Sequence, residues 1–73
     1  MIDEIYELKK QLDFEHEIIL QMVRPDYQTR IRKDDIIKKV DSWILKVIRP
    51  NGEICIINVE YVMIAYLDKK MEW

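Results

Sequence analysis

The chain has one cysteine, Cys55, and one histidine, His16, among its 73 residues. A single cysteine excludes an internal disulfide, and these two residues leave too few ligands for an ordinary zinc site. A domain this small buries only about 60% of the surface of its unfolded chain, so it is marginally stable without a disulfide, a bound metal or a partner. Because a disulfide and a metal are both disfavoured, we expect oligomerisation to supply the missing stability.

Glycine occurs once and proline twice, so the chain cannot contain a glycine-rich loop of the kind that cradles phosphates. With 49% hydrophobic and 36% charged residues, the composition is that of an ordered globular chain. We expect one domain over residues 1–73, with a helical part over 1–24 and a β-rich part over 27–73.

Long apolar runs are also absent. The longest, YVMIAYL, covers residues 61–67, whereas a transmembrane helix needs about 20 apolar residues. The N-terminus begins with acidic residues and lacks the apolar core of a signal peptide. One unpaired cysteine fits a reducing compartment. We therefore expect a cytoplasmic protein without membrane association.

The net charge is −2 at pH 7, but the charged residues are distributed unevenly along the chain. Residues 1–23 carry an excess of acidic side chains, and residues 24–49 carry an excess of basic ones. Such segments can attract each other within a chain or between copies, or present a basic patch to nucleic acid. Aspartates interleaved in the basic segment dilute a phosphate-binding stripe, so two solvated faces are the simpler interpretation.

Apolar residues over positions 3–23 recur at the spacing of an amphipathic helix. Acidic residues occupy the first turn, as the helix dipole favours, and Pro25 ends the pattern. Phe14 and Leu20 fall off the main stripe, and Ile18 lies to one side of it. They suggest a second contact surface, such as another copy of the same helix.

The clearest signal is a hairpin over residues 43–59, WILKVIRPNGEICIINV. Pro50 and Asn51 suit the centre of a type I turn, and Gly52 suits the left-handed residue that follows. This three-residue loop predicts a register in which Ile48 faces Ile54. Continued outward, the register pairs Val47 with Cys55, Lys46 with Ile56, Leu45 with Ile57, Ile44 with Asn58, and Trp43 with Val59.

Both faces of this hairpin are apolar. The predicted core face holds Trp43, Leu45, Val47, Cys55, Ile57 and Val59. The opposite face holds Ile44, Lys46, Ile48, Ile54, Ile56 and Asn58, which is too apolar to be wholly exposed. Either strands of the same chain cover it, as in a small SH3-like or Sm-like barrel, or a second subunit does.

The other segments give weaker signals. Residues 25–28, PDYQ, suggest a turn, and YQTRIRK alternates like a strand with a basic outer face. Residues 34–42 fit one helical turn or a short strand. Residues 59–70 fit a helix capped by Asn58 or a strand, and their β-branched and aromatic content favours the strand. The predicted fold is α+β, an N-terminal amphipathic helix packed on a small antiparallel meander.

We find no motif for catalysis, a metal or a cofactor. Glu15, His16 and Glu17 are consecutive, so on a helix they cannot converge on one ion. Cys55 lies mid-strand as a small hydrophobe rather than in the basic, accessible setting of a reactive thiolate. Asp34 and Asp35 are read as turn and cap residues.

Residues 44–68, ILKVIRPNGEICIINVEYVMIAYLD, resemble the small FlbD-type proteins of flagellar operons. The shared features are a strand, an NG turn, a second strand, an Asn and another apolar run. These belong to any short apolar hairpin, so the resemblance implies no function here.

We expect a non-enzymatic protein–protein interaction module that self-associates, of the kind encoded by phages or compact operons. It needs no cofactor, and its partners are copies of itself or another protein. The expected self-association surface consists of Phe14, Ile18, Leu20, Ile44, Ile48, Ile54 and Ile56. The alternative is a small nucleic-acid-binding regulator. Its contacts would come from the basic segment: Arg30, Arg32, Lys33, Lys38 and Lys39.

Overall fold

The computed structural model describes residues 1–24 and 27–70. The elements are α1 (Ile2–Gln11), β1 (His16–Met22), β2 (Gln28–Ile31), β3 (Ile36–Lys39), β4 (Ile44–Ile48), β5 (Ile54–Asn58), a 3₁₀ turn (Val59–Tyr61) and β6 (Val62–Lys69). The strands form two antiparallel three-stranded sheets, ordered β2-β1-β6 and β3-β4-β5. The α+β prediction is confirmed. Within the described residues no ladder joins β5 to β6, so the strands do not close into a barrel.

The helix is shorter than the apolar spacing predicted. It ends at Gln11, and residues 16–22 form β1 instead. The reason lies in the run Ile18, Ile19 and Leu20, each at most 2% exposed. Ile18 and Leu20 enter the core from the middle strand of the sheet, while Ile19 on the opposite face lies between Arg30 of β2 and Tyr66 of β6. A middle strand with buried side chains on both faces has a continuous apolar run and not an alternating one. The helical prediction for residues 12–23 was therefore wrong, and Pro25 lies outside the described residues.

The β4–β5 hairpin has the predicted register from Ile48–Ile54 to Ile44–Asn58. The Arg49 N–H donates to the Glu53 carbonyl at 2.8 Å, which closes the three-residue loop. Gly52 has φ +89°, the positive value expected there.

The core lies between the two sheets and α1. It consists of Ile2, Ile5, Leu12, Ile18, Leu20, Ile31, Leu45, Val47, Ile57, Val59 and Val62. The predicted core face of the hairpin is confirmed except at Trp43, which is 56% exposed. The Asp41 carboxylate accepts the N–H groups of Trp43 and Ile44, at 2.8 and 2.9 Å. The chain bends there, and Trp43 lies before β4 begins.

The remaining strands settle the open alternatives. Residues 36–39 form a strand and not a helical turn, and residues 62–69 form the favoured strand. In β2, Ile31 is buried while Arg30 is exposed, so the alternation was predicted correctly. Asn58 does act as a cap, because its side chain accepts the Glu60 N–H at 3.0 Å. The capped helix is only the single 3₁₀ turn.

Candidate interaction surface

The side of the β3-β4-β5 sheet that faces away from the core is a candidate interaction surface, and we call it the outer isoleucine face. Its members are Ile36, Lys38, Ile44, Lys46, Ile48, Ile54, Ile56 and Asn58. The ladders place Ile36, Ile48 and Ile54 in one row across the three strands. The edge-strand isoleucines Ile36, Ile54 and Ile56 are each more than half exposed. The face therefore presents adjacent apolar side chains to solvent.

A pair of lysines interrupts this face. Lys38 and Lys46 are direct cross-strand partners, and Ile56 continues their row. Neither ammonium has an ion-pair or hydrogen-bond partner in residues 1–24 and 27–70. Like charges directly opposite each other are unfavourable. An acidic group on a partner would relieve the repulsion.

Strand β5 is an open edge of its sheet. The β4–β5 ladder is hydrogen-bonded at the Arg49–Glu53 pair beside the turn. Bonded and non-bonded pairs alternate along an antiparallel ladder. Ile54, Ile56 and Asn58 therefore direct their backbone N–H and C=O groups to the open side.

Strand β6 is an open edge of the other sheet. A bulge near Met22 leaves Met63 without a cross-strand partner, and Met63 is 64% exposed. Ile64 and Tyr66 lie on the side of the sheet that faces away from the core and are also exposed. The edge strands β5 and β6 carry no lysine, arginine or proline over their central residues, so they are the apolar edges of the two sheets.

The other two edges are better protected. Strand β3 carries Lys38 and Lys39. The Tyr6 hydroxyl of α1 accepts the Lys39 N–H at 2.9 Å and donates to the Ile37 carbonyl at 3.4 Å. Strand β2 carries Arg30 on its exposed side. Charged side chains and covering elements of this kind are how edge strands avoid further pairing.

The structure buries some of the predicted self-association residues and exposes others. Ile18 and Leu20 are fully buried in the core, so they are not available to a partner. The prediction failed for them because it placed them on a helix. Phe14 is 65% exposed in the turn after α1, with the Lys33 ammonium 5.9 Å from its ring centroid. The four hairpin isoleucines of the prediction all lie on the outer isoleucine face.

The predicted nucleic-acid contacts are not brought together. Arg30 and Arg32 lie against the β2-β1-β6 sheet, where both contact Glu17. Lys38 belongs to the outer isoleucine face, and Lys39 follows beside Tyr6. Lys33 lies near α1, where its carbonyl accepts the Lys9 ammonium at 2.8 Å. The sequence did not indicate the contact between Glu17 and the two arginines, because helix and strand predictions placed them on different elements.

Two of the titratable residues singled out in the sequence, Asp35 and His16, have side-chain partners. The buried Asp35 carboxylate binds Arg49 and accepts the Arg32 N–H at 2.8 Å. His16 Nδ1 lies 2.8 Å from Asp13 Oδ1. The hydrogen bonds from His16 and from the Glu15 N–H lower the pKa of Asp13 below its usual value. In the described residues no three of His, Cys, Asp and Glu cluster as a metal site would require.

An apolar pocket of about 500 Å³ lies at one end of the β2-β1-β6 sheet. Its lining residues are Met22, Val23, Arg24, Tyr27 and Tyr61. None of these is a carboxylate, a histidine or a cysteine. The pocket therefore offers no general base or thiol nucleophile among the described residues.

No family model, curated protein or solved structure matches the chain. The similarity of residues 44–68 to FlbD-type proteins thus has no further support. Over residues 1–24 and 27–70, no helix is long and apolar enough to cross a membrane.

Proposed function

We propose that the protein is a small non-enzymatic interaction module that self-associates through the outer isoleucine face and the open edge of β5. One observation carries the proposal. Ile54 and Ile56 combine exposed side chains with backbone hydrogen-bonding groups directed to the open edge. A partner strand could therefore bury these side chains and hydrogen-bond to the backbone at the same edge.

The energetics favour covering this strand. Burying an isoleucine side chain that was fully exposed contributes about 1.5–3 kcal/mol. An exposed apolar edge also invites pairing with another chain, and natural proteins usually block it with lysine, proline or a bulge. The sequence of β5, ICIIN, contains none of these. An unprotected edge in a small domain therefore supports association.

A second copy of the chain supplies a matching surface. Strand β6 has its own open edge with exposed Ile64 and Tyr66. If β5 of one copy lies along β6 of the next, both apolar edges are covered, whereas pairing β5 with β5 leaves β6 open. The exposed Asp68 near the end of β6 is a suitable partner for the unpaired Lys46. Head-to-tail contacts of this type close into a ring or continue as a filament.

Two lysine substitutions test the proposal by sedimentation velocity at micromolar concentration, with circular dichroism as a check on folding. Ile56→Lys and Ile64→Lys alter exposed positions, so each variant should fold. We expect both to sediment as a single 9.0 kDa chain, while the unaltered protein sediments as an oligomer. A lysine buried without a partner at an interface is strongly unfavourable.

Phe14→Lys is the matched control, because it makes the same kind of change at an exposed site away from both edges. It should leave the oligomer intact. Dissociation by Ile56→Lys alone would replace the head-to-tail arrangement with a β5–β5 pair. A single-chain mass for the unaltered protein, or an unchanged mass for Ile56→Lys, would contradict self-association through this face.

Nucleic-acid binding is the second candidate function. The five basic residues predicted for it occupy three separate places, so they make no continuous stripe of phosphate contacts. A salt titration of binding to mixed-sequence DNA and RNA separates the two functions. Binding that weakens steeply with salt supports the regulator, since phosphate contacts release counterions. If neither DNA nor RNA binds, the result supports the self-associating interaction module.

A further inference from the structure

The outer side of the β2-β1-β6 sheet holds an unusual arrangement of charges. Glu17 lies on the middle strand and is only 8% exposed. Its Oε1 accepts a hydrogen bond from Arg30 Nε at 2.9 Å, and its Oε2 lies 3.5 Å from Arg32 Nε. Each carboxylate oxygen is thus occupied by a different guanidinium. A single buried acid therefore holds two arginines side by side.

These contacts leave most of the arginine donors unused. A guanidinium has five N–H groups, and only the Nε–H of each arginine faces Glu17. Among the described residues, the Nη groups of Arg30 and Arg32 have no hydrogen-bond partner. Both side chains remain about half exposed. The free donors are accessible to a ligand from solvent.

A third cation completes the cluster. Lys70 lines the same shallow pocket as Glu17, Arg30 and Arg32, with a volume of about 280 Å³. The Lys70 backbone N–H donates to the Glu15 carbonyl at 2.8 Å, which fixes this residue beside β1. Its ammonium has no partner among the described residues.

The balance of charge favours an anion. Three cationic groups meet one buried carboxylate, and a further acid, Asp68, is the cross-strand partner of Glu17. The Asp68 carboxylate accepts the Lys69 N–H at 3.0 Å, and it is not part of the pocket lining. Even with Asp68 counted, the cluster keeps a positive charge.

We propose that Arg30, Arg32 and Lys70 form a binding site for a phosphate group, positioned by Glu17. Two planar guanidinium forks and an ammonium suit an anion with three accessible oxygens better than a carboxylate with two. Tyr66 lies on the same outer side of the sheet, across Ile19 from Arg30. Its partly exposed ring can stack on a base attached to that phosphate. Phosphate binding does not depend on self-association, because Glu17, Arg30 and Arg32 lie on neither of the open edges β5 and β6. Only the stacking residue Tyr66 belongs to β6, the strand proposed to meet β5 of another copy.

The test follows the arginine Nε–H resonances by NMR during titration with inorganic phosphate at constant ionic strength, and then with a single-stranded oligouridylate. We expect saturable shifts at Arg30 and Arg32. Arg32→Gln at an exposed site and Lys70→Gln at a partly exposed one should each weaken binding about tenfold, equivalent to about 1.4 kcal/mol. Arg24→Gln is the control, since it removes the same charge from an exposed arginine outside the cluster.

The two titrations identify the source of the phosphate. Tighter binding of the oligouridylate than of inorganic phosphate, lost in Arg32→Gln, assigns the site to a nucleic-acid strand. Equal or weaker binding of the oligouridylate assigns it to a free phosphate. Phosphate shifts no different from those caused by chloride would overturn the site. So would equal losses of binding in Arg32→Gln and Arg24→Gln, with both variants retaining the dispersed amide spectrum of the folded protein.

Discussion

Single residues with special backbone demands determine where the hairpin turns. Gly52 has φ +89°, and a Cβ placed there would meet no atom within 4 Å. A side chain at this position would therefore not clash with its neighbours. The backbone conformation restricts which residue can occupy it, because residues with a side chain rarely adopt a positive φ.

Gly52→Val should lower the free energy of unfolding by about 1–3 kcal/mol, the usual cost of holding a residue in such a conformation. Gly52→Asn should cost less, because asparagine tolerates positive φ better than a β-branched residue does. Chemical denaturation of the two variants measures the difference. Equal stability of Gly52→Val and the unaltered protein would mean that the turn relaxes to another conformation.

The hydrogen bond between His16 and Asp13 makes a residue-level prediction about pH. A lowered pKa means that the folded state favours the ionised carboxyl of Asp13 more than the unfolded state does. The resulting stabilisation is present above the ordinary aspartate pKa and is lost as the pH falls through the lowered value. His16→Asn should raise the pKa of Asp13 towards its ordinary value, as followed by NMR of the carboxyl carbon. An unchanged pKa would show that the Glu15 N–H is sufficient by itself.

At the scale of elements, a single hydroxyl joins the helix to an edge strand. Tyr6 of α1 satisfies the Lys39 N–H and the Ile37 carbonyl of β3. This contact links residues far apart in the sequence, and it covers backbone groups that would otherwise be open. The helix therefore protects one edge of the β3-β4-β5 sheet.

Tyr6→Phe should lower the free energy of unfolding by about 0.5–1.5 kcal/mol, the net contribution of a typical hydrogen bond. Hydrogen exchange at the Lys39 amide should also become faster. Tyr66→Phe is the matched control, since the Tyr66 hydroxyl has no partner among the described residues, and it should change stability little. Unaltered exchange at Lys39 in Tyr6→Phe would indicate that water replaces the hydroxyl at no cost.

For the whole molecule, the main consequence of the fold is a core supported by two sheets whose apolar edges remain open. Buried residues come from both sheets and from α1, but β5 and β6 are not joined. Association between copies would pair the edges of β5 and β6 that are open in the single chain. Folding and assembly would then be linked by mass action.

The midpoint of thermal unfolding should therefore rise with protein concentration. Binding to the folded state alone stabilises it by an amount that grows with the concentration of the partner. Differential scanning calorimetry over a hundredfold range of concentration measures the effect, with Ile56→Lys as a variant whose midpoint should stay constant. A constant midpoint for the unaltered protein would argue against assembly in that range.

At several points in the β-rich part, neighbouring residues determined the local structure. The turn at Gly52, the cap at Asn58 and the alternation through Arg30 are signals contained within a few neighbouring residues. Their physical basis is backbone conformation, short-range hydrogen bonding and the twofold period of a strand. For that reason the amino-acid sequence by itself predicts the hairpin register and the part of the outer isoleucine face that the hairpin contributes.

Only the tertiary structure decided the role of residues 16–22. Ile18 and Leu20 match a helix or a buried strand equally well, and the choice depends on β2 and β6 lying on either side. The same holds for Trp43, whose exposure depends on where the bend at Asp41 begins. The pairing of Glu17 with two arginines also needs strands that are distant in sequence to lie side by side. Burial and charge pairing of this kind are set by the chain as a whole, because no local segment contains both partners.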